Sequence, residues 1–288
     1  MKITPDAEQL SIFMRLIGMH SRLTPVEVNE IVTVHQLRFK VLAKYKALGN
    51  VAFIVFKEKR EQFRNRMPQI VNERNNYKSH IIVCFNWFSP QGLLDLICLG
   101  GKILKSGSTL DNEVQMFNDV HYENALKMMK DDSFINSVIN EIELYGPNAL
   151  ITLVGFSMGG CIASIIGYKL KKKYQDQLRF RCIGIGSPRP GNEKFIEWYK
   201  GATDENSYFV LLRENGVIDP VALDPPMFAP HPRCFILQDG NFFAIPPENL
   251  QAISNQTADE NCEAWNKMHS ILNYYEKLNP VKYEKTIY

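Results

Sequence analysis

The segment that most constrains this chain is an apolar run over 149–156 that leads into Gly155-Phe156-Ser157-Met158-Gly159. In a G-x-S-x-G pattern of this kind, a strand turns sharply into a helix and lifts the serine hydroxyl out of the sheet edge. Residues 158–172 have the length and the apolar spacing of the helix that should follow. A bystander serine in a glycine-rich turn is the alternative interpretation, and the flanking strand and helix make it the less favoured one.

Strands and helices alternate along the C-terminal half of the chain. The pattern predicts helices over 132–145, 158–172, 192–199 and 262–278, and strands over 149–156, 179–185 and 208–213. Such alternation implies βαβ units, because parallel strands need a crossover connection. We therefore expect an α/β fold with a mostly parallel central sheet flanked by helices.

The N-terminal part has a different pattern. Apolar residues recur at helical spacing between Leu10 and Leu42, and Gly49 closes the run. We expect 1–75 to form a mainly helical N-terminal region that packs on a core formed by 76–288. Two short apolar runs rich in β-branched residues, 51–56 and 80–88, predict strands.

Charge and composition exclude several classes of function. Lys and Arg number 33 against 31 Asp and Glu, so no broad field attracts nucleic acid. The sequence contains neither a signal-like start nor the roughly 18 consecutive apolar residues of a spanning helix. Its six cysteines are scattered without metal-ligand spacing, which predicts small buried side chains and no metal site. We expect a cytoplasmic protein or an intracellular peripheral membrane protein, and the sequence leaves its oligomeric state open.

A serine hydroxyl becomes a good nucleophile when a histidine accepts its proton and a carboxylate orients that histidine. Where the serine lies in such a turn, the acid and then the histidine follow it along the chain. Beyond Ser157 the only histidines are His231 and His269, so the base is one of these two. Asp219 follows the apolar run 208–212, in the kind of loop where α/β sheets collect functional groups.

Four ordered segments resemble the class 3 lipase family, whose best-known members are fungal triacylglycerol lipases. Residues 153–160 are similar to its T-G-H-S-L-G-G segment, with Phe156 in place of the histidine, and 185–192 are similar to its G-S-P-R-x-G-N segment. Residues 219–226 are similar to D-P-V-P-x-L-P-P, and 268–275 are similar to the segment around the family's C-terminal histidine. The resemblance covers most of 80–275 and implies an α/β-hydrolase fold.

The resemblance also implies an activity and assigns its residues. It implies a serine hydrolase that cleaves the carboxylic ester bond of a lipid, an acylglycerol or a phospholipid, through an acyl-enzyme. Ser157 is then the nucleophile, Asp219 the acid and His269 the base, while His231 occupies a family position that is not the base. A lipid ester is the expected partner, with peripheral contact to a lipid surface, and neither a metal nor another cofactor is expected.

The sequence departs from the family at the end of the strand predicted over 80–88. Where the family has F-R-G-T or F-R-G-S, whose hydroxyl completes the oxyanion hole, this chain has F-N-W-F-S at 85–89. We expect backbone N–H groups of Met158, Phe88 and Ser89 to bind the oxyanion instead. The next residues occupy the place of the family's lid helix, so we predict a lid that carries Leu93, Leu94, Leu96, Ile97 and Leu99. An ordinary buried helix explains the same apolar pattern.

Two other functions stay open on the sequence alone. One is a catalytically impaired lipase-fold protein that binds a lipid or a protein partner, because a fold does not establish an activity. The altered segment 85–89 favours this hypothesis, and the complete set of serine, acid and histidine disfavours it. The other is an esterase for small soluble esters, which the dependence of turnover on acyl chain length would distinguish from a lipase.

Overall fold

The computed structural model describes Pro5 and residues 7–19, 39–46, 51–58, 77–87, 119–203, 206–223, 228–254 and 268–278. Several sequence predictions lie outside these ranges. They are the predicted lid residues, the predicted oxyanion residues Phe88 and Ser89, and the cysteines Cys98 and Cys262.

The described strands form one mostly parallel sheet. They are β1 Phe39–Lys46, β2 Val51–Glu58, β3 Ser79–Trp87, β4 Ala149–Phe156, β5 Arg179–Ile185, β6 Tyr208–Glu214, β7 Val217–Ile218, β8 Cys234–Gln238 and β9 Asn241–Ile245. The order across the sheet is β1-β2-β3-β4-β5-β6-β8-β9, with β7 paired to β6. Neighbours from β3 to β8 run parallel, whereas β1, β2 and β9 pair antiparallel at the two edges.

The described helices are α1 Ala7–Met19, α2 Asp119–Met129, α3 Asp132–Phe134, α4 Asn140–Tyr145, α5 Met158–Tyr174, α6 Glu193–Ala202, α7 Pro247–Ser254 and α8 Ile271–Leu278. A π-helical turn, Ile135–Ile139, joins α3 to α4, so the predicted helix over 132–145 is continuous. Among the described residues, no helix has the length and apolar character needed to cross a bilayer.

Helices cover both faces of the sheet, because successive strand residues point to opposite sides. In β3, Ile81 and Val83 belong to one apolar cluster, which includes buried residues of α2, α5 and α6. Ile82 belongs to the other cluster, with the buried residues of α1 and α8. The expected α/β architecture, with a mostly parallel sheet between helices, is therefore correct.

The helical prediction for the N-terminal region is correct at α1 and wrong at Phe39–Lys46, which forms strand β1. The segment F-K-V-L-A-K-Y-K alternates apolar and lysine residues at several positions, which is a strand period. Val41 and Leu42 also fit the helical spacing of the apolar residues before them, and this fit obscured the strand period. Pairing with β2 supplies the backbone hydrogen bonds that decide between the two periods. Residues before 76 thus contribute two strands to the central sheet.

Helix α1 is expected to contribute to stability through a fully buried stripe. Leu10 is 0% exposed in α1, whereas Leu144 in α4 is 70% exposed. We expect Leu10→Ala to lower the free energy of unfolding by about 2–5 kcal/mol, because it leaves a cavity. The matched Leu144→Ala should change it by about 0.5 kcal/mol or less. Denaturant unfolding of both variants measures the difference, and equal losses would contradict the packing of α1 on the sheet.

Candidate active site

Ser157 lies in the turn between β4 and α5 with an unusual backbone conformation. Its φ of 54° and ψ of −133° are rare for a residue with a side chain, and such a conformation costs on the order of 1–3 kcal/mol. The Ser157 N–H donates to the Ile185 carbonyl of the neighbouring strand at 2.9 Å. The surrounding chain therefore holds the serine in the conformation that the G-x-S-x-G pattern predicted.

The two glycines of the pattern allow the helix to lie against the strand ends. A Cβ on Gly155 would lie 2.1 Å from the Gly159 carbonyl carbon, and a Cβ on Gly159 would lie 2.5 Å from the Phe85 carbonyl oxygen. Both obstacles are backbone atoms, which cannot move aside as a flexible side chain can. The turn is therefore possible only without side chains at these two positions.

The structure brings the three predicted residues together in one hydrogen-bonded chain. The Nε2 of His269 lies 2.8 Å from Ser157 Oγ, and its Nδ1 lies 2.7 Å from Asp219 Oδ2. Ser157 and His269 are 112 positions apart in the sequence, and Asp219 and His269 are 50 apart, yet the three side chains meet at the same end of the sheet. Ser157 is 4% exposed, His269 3% and Asp219 0%, so bulk water does not screen these contacts.

Asp219 is held by donors other than the histidine. Its Oδ1 accepts from the Val221 N–H at 3.0 Å, and its Oδ2 accepts from the Tyr274 hydroxyl at 2.6 Å. A buried carboxylate is tolerated only with such partners. Burial, and then the nearby Asp219, raises the pKa of Tyr274 well above its usual value, so its hydroxyl keeps the proton that it donates.

Tyr274 also ties the histidine segment to strand β6. Its hydroxyl accepts from the Leu212 N–H at 3.0 Å while it donates to Asp219. Nearby, Glu214 pairs with Lys277 at 2.8 Å and accepts from the Asn273 amide at 3.2 Å. Helix α8, which follows His269, is therefore docked on the strand that leads to Asp219. Sequence reasoning did not single out Tyr274, although it lies in the same predicted segment, 268–275, as the histidine.

His231 lies in a different environment, between Phe209 and Pro188. Its ring stacks on Phe209 with 3.2 Å between centroids, and its Nε2 lies 3.4 Å from the Pro188 carbonyl oxygen. Burial, reinforced by the charge of Arg189, lowers the pKa of His231 to about 3. The histidine that the structure places beside Ser157 is thus His269.

The segment similar to G-S-P-R-x-G-N provides structural contacts around the site. Arg189 is 1% exposed and donates to the Phe228 carbonyl at 2.9 Å and to Gln251 at 2.7 Å. Asn192 caps α6 by accepting from the Phe195 N–H at 3.1 Å. Gly186, at φ 55°, lies against His269: a Cβ there would be 3.2 Å from His269 Cε1.

Met158 is the one predicted oxyanion residue that the described structure contains. It is buried and is the first residue of α5. The first N–H groups of a helix have no carbonyl partner within the helix, and they point toward the helix N-terminus. This is the end of α5 at which Ser157 lies.

The glycine contacts lead to a stability prediction. We expect Gly155→Ala to lower the free energy of unfolding by more than about 3 kcal/mol, since its Cβ would overlap backbone atoms. Gly201 in α6 is the matched control, because a Cβ there would meet nothing within 4 Å. Gly201→Ala should be neutral or should stabilise the protein by up to about 1 kcal/mol. Thermal and denaturant unfolding of the two variants tests this, and a harmless Gly155→Ala would contradict the described turn.

Comparison with known proteins gives a fold and a match to a family model over part of the chain. The family model described as Lipase (class 3) matches residues 106–225, which include Ser157 and Asp219. No curated protein matches the sequence. The solved lipase of Rhizopus microsporus var. chinensis has a TM-score of 0.62 and 14% identity, over 90% of this chain and 85% of that one.

Two further solved structures are similar. A fungal lipase–inhibitor complex, described as a model for interfacial activation, has a TM-score of 0.59 and 11% identity, over 88% of this chain and 90% of that one. The triacylglyceride lipase of Rhizomucor miehei has a TM-score of 0.54 and 10% identity, over 82% of each chain. At such identities the likeness is one of fold, the α/β-hydrolase fold.

The family match adds a reaction class to this fold. It supports a carboxylic ester hydrolase that acts on a lipid ester. The partial family match and the fold thus make this chain similar to the class 3 lipase family.

Proposed function

We propose that this chain is a serine hydrolase that cleaves the ester bond of a lipid through a covalent acyl-enzyme, with Ser157 as nucleophile, His269 as base and Asp219 as acid. The observation that carries the proposal is the buried chain of contacts from Ser157 Oγ through the imidazole to Asp219, at 2.8 and 2.7 Å. Each separation suits a direct hydrogen bond, so the proton can pass without a bridging water.

Acylation begins when Ser157 Oγ attacks the ester carbonyl carbon and His269 Nε2 takes the hydroxyl proton. The tetrahedral intermediate collapses as the imidazolium returns that proton to the leaving alcohol oxygen, which leaves the acyl group on Ser157. In deacylation, His269 takes a proton from water, the hydroxide oxygen attacks the acyl carbon, and the fatty acid leaves as Ser157 regains its proton.

Asp219 acts on the orientation and the charge of the base. With His269 Nδ1–H donating to Asp219 Oδ2, Nε2 is left as the acceptor that faces Ser157. The Val221 N–H and the Tyr274 hydroxyl keep the carboxylate from turning away. A fixed carboxylate stabilises the imidazolium that forms in each half of the cycle.

The oxyanion requires donors aimed at the carbonyl oxygen as its charge develops. The position of Met158 at the start of α5 supports its N–H as one donor. The second donor, Phe88 or Ser89, and the lid over 93–99 stay predictions from the sequence, since both lie outside the described residues.

The proposed substrate is a lipid ester, an acylglycerol or a phospholipid. The family description, Lipase (class 3), supports the lipid, and the related Rhizomucor miehei protein is named a triacylglyceride lipase. An assay over a series of esters tests this substrate class, and hydrolysis that rises with acyl chain length would support it. Turnover confined to short soluble esters would instead favour the esterase alternative.

Labelling with a fluorophosphonate tests the nucleophile. We expect the wild-type protein to label on Ser157 and to hydrolyse a long-chain acylglycerol, and Ser157→Ala to lose both, because no other side chain carries the acyl group. Ser164→Ala is the matched control: this buried serine of α5 donates to the Gly160 carbonyl instead. Mass spectrometry of the labelled peptide identifies the residue, and full activity in Ser157→Ala would overturn the proposal.

A comparison of the two buried histidines tests the base. His269→Ala should lower kcat by at least about a thousandfold, as removal of a triad base does. His231→Ala should lower it by less than about tenfold, because that ring stacks on Phe209 and not on the reacting groups. Both variants are assayed well below their unfolding temperatures, and similar losses in the two would show that the base is misassigned.

A further inference from the structure

The ring of Phe156 lies along the imidazole of His269. Phe156 is the last residue of β4 and directly precedes Ser157. The two ring centroids are 5.0 Å apart and the planes are inclined by 21°, which is a stacked arrangement. This separation lies in the range at which aromatic rings attract one another. The same residue thus begins the serine turn and supports the base.

Tyr274 holds the Phe156 ring in this position. The two rings meet edge to face, with centroids 5.9 Å apart and planes at 78°. Tyr274 itself has little freedom, because its hydroxyl accepts from Leu212 and donates to Asp219. Both rings are buried in the apolar cluster that also contains α1. The acid and the base are therefore supported by two aromatic rings in mutual contact.

The stacked face matters most when the imidazole is charged. The face of a phenyl ring is the negative side of its quadrupole, and it attracts a cation placed over it. In the proposed cycle His269 becomes an imidazolium in each half-reaction. A phenyl ring in this place favours the charged form, whereas an aliphatic side chain of similar size offers burial without that attraction.

We propose that Phe156 is a positioning residue of this enzyme, whose ring face orients His269 and stabilises the imidazolium that forms during acyl transfer. The inference rests on the proposed function, since it requires His269 to act as the base. It also gives a role to the residue at which this chain has phenylalanine where the resembling family segment has histidine.

Two substitutions at one position separate the ring face from simple space filling. Phe156→Leu keeps an apolar side chain and removes the ring, and Phe156→Tyr keeps the ring. We expect Phe156→Leu to lower kcat about 2- to 30-fold with KM changed by less than about twofold. Phe156→Tyr should retain kcat within about twofold. Phe180→Leu, at a buried phenylalanine of β5, is the control for the loss of a core ring.

The pH–rate profile separates the two explanations, because a loss of packing alone does not shift its acidic limb. Removing the ring face disfavours the imidazolium, so the acidic limb of kcat/KM should move to lower pH in Phe156→Leu and stay in place in the other two variants. Among the described residues, Asp219 and Ser157 hydrogen-bond to the imidazole, and the Tyr274 hydroxyl contacts Asp219. These groups are the same in all variants.

The outcomes are distinct. A slower Phe156→Leu with a displaced acidic limb, together with rescue by tyrosine, supports the inference. Equal kcat values and equal limbs in Phe156→Leu and Phe156→Tyr, in a protein whose wild type labels and turns over, would overturn the inference alone. A wild-type protein that neither labels with fluorophosphonate nor hydrolyses any acyl ester would overturn the proposed function, and the inference with it.

Discussion

The buried carboxylate of Asp219 is the group on which the arrangement of the candidate site depends. A carboxylate removed from water is costly unless donors surround it, and here the donors come from its own loop, from helix α8 and from His269. The hydrogen bonds that satisfy Asp219 therefore dock the C-terminal segment on the sheet and position His269. The Tyr274 hydroxyl hydrogen-bonds to both Asp219 and Leu212. Helix α8, strand β6 and the loop that carries Asp219 are therefore held together at this hydroxyl.

The second constraint is the close approach of α5 to the strand ends. Because Gly155 and Gly159 have no side chains, the backbone of α5 can lie in close contact with the backbone of the strand ends. This close contact allows Ser157 to keep a positive φ. The sheet provides the support for this conformation, since β5 accepts the Ser157 N–H through Ile185. Two independent constraints, one of sterics and one of charge, thus bring the hydroxyl and the imidazole to hydrogen-bonding distance.

Sequence patterns were most informative where the local signal was strong. The helices and strands predicted between 132 and 213 occur within about three residues of their expected bounds. The helical prediction failed at Phe39–Lys46, because the apolar residues there fit two periods and a partner strand decided between them. Strands β8 and β9 and helices α2 and α7 were not predicted. Strand β8 pairs with β6, and β9 pairs with β8. Pairing of this kind depends on the sheet more than on local preference.

By itself, the sequence determined the serine turn, the alternating α/β order and the candidates Ser157, Asp219, His231 and His269, because each depends on residue type and chain order. The residues alone left His231 and His269 open as the base, and the family resemblance favoured His269. The tertiary structure places His269, and not His231, beside the serine. The tertiary structure also decided the contacts of Phe156 with His269 and of Tyr274 with Asp219. These contacts join residues up to 113 positions apart, from 156 to 269, and a local pattern cannot encode a distance that is set by how strands and helices pack.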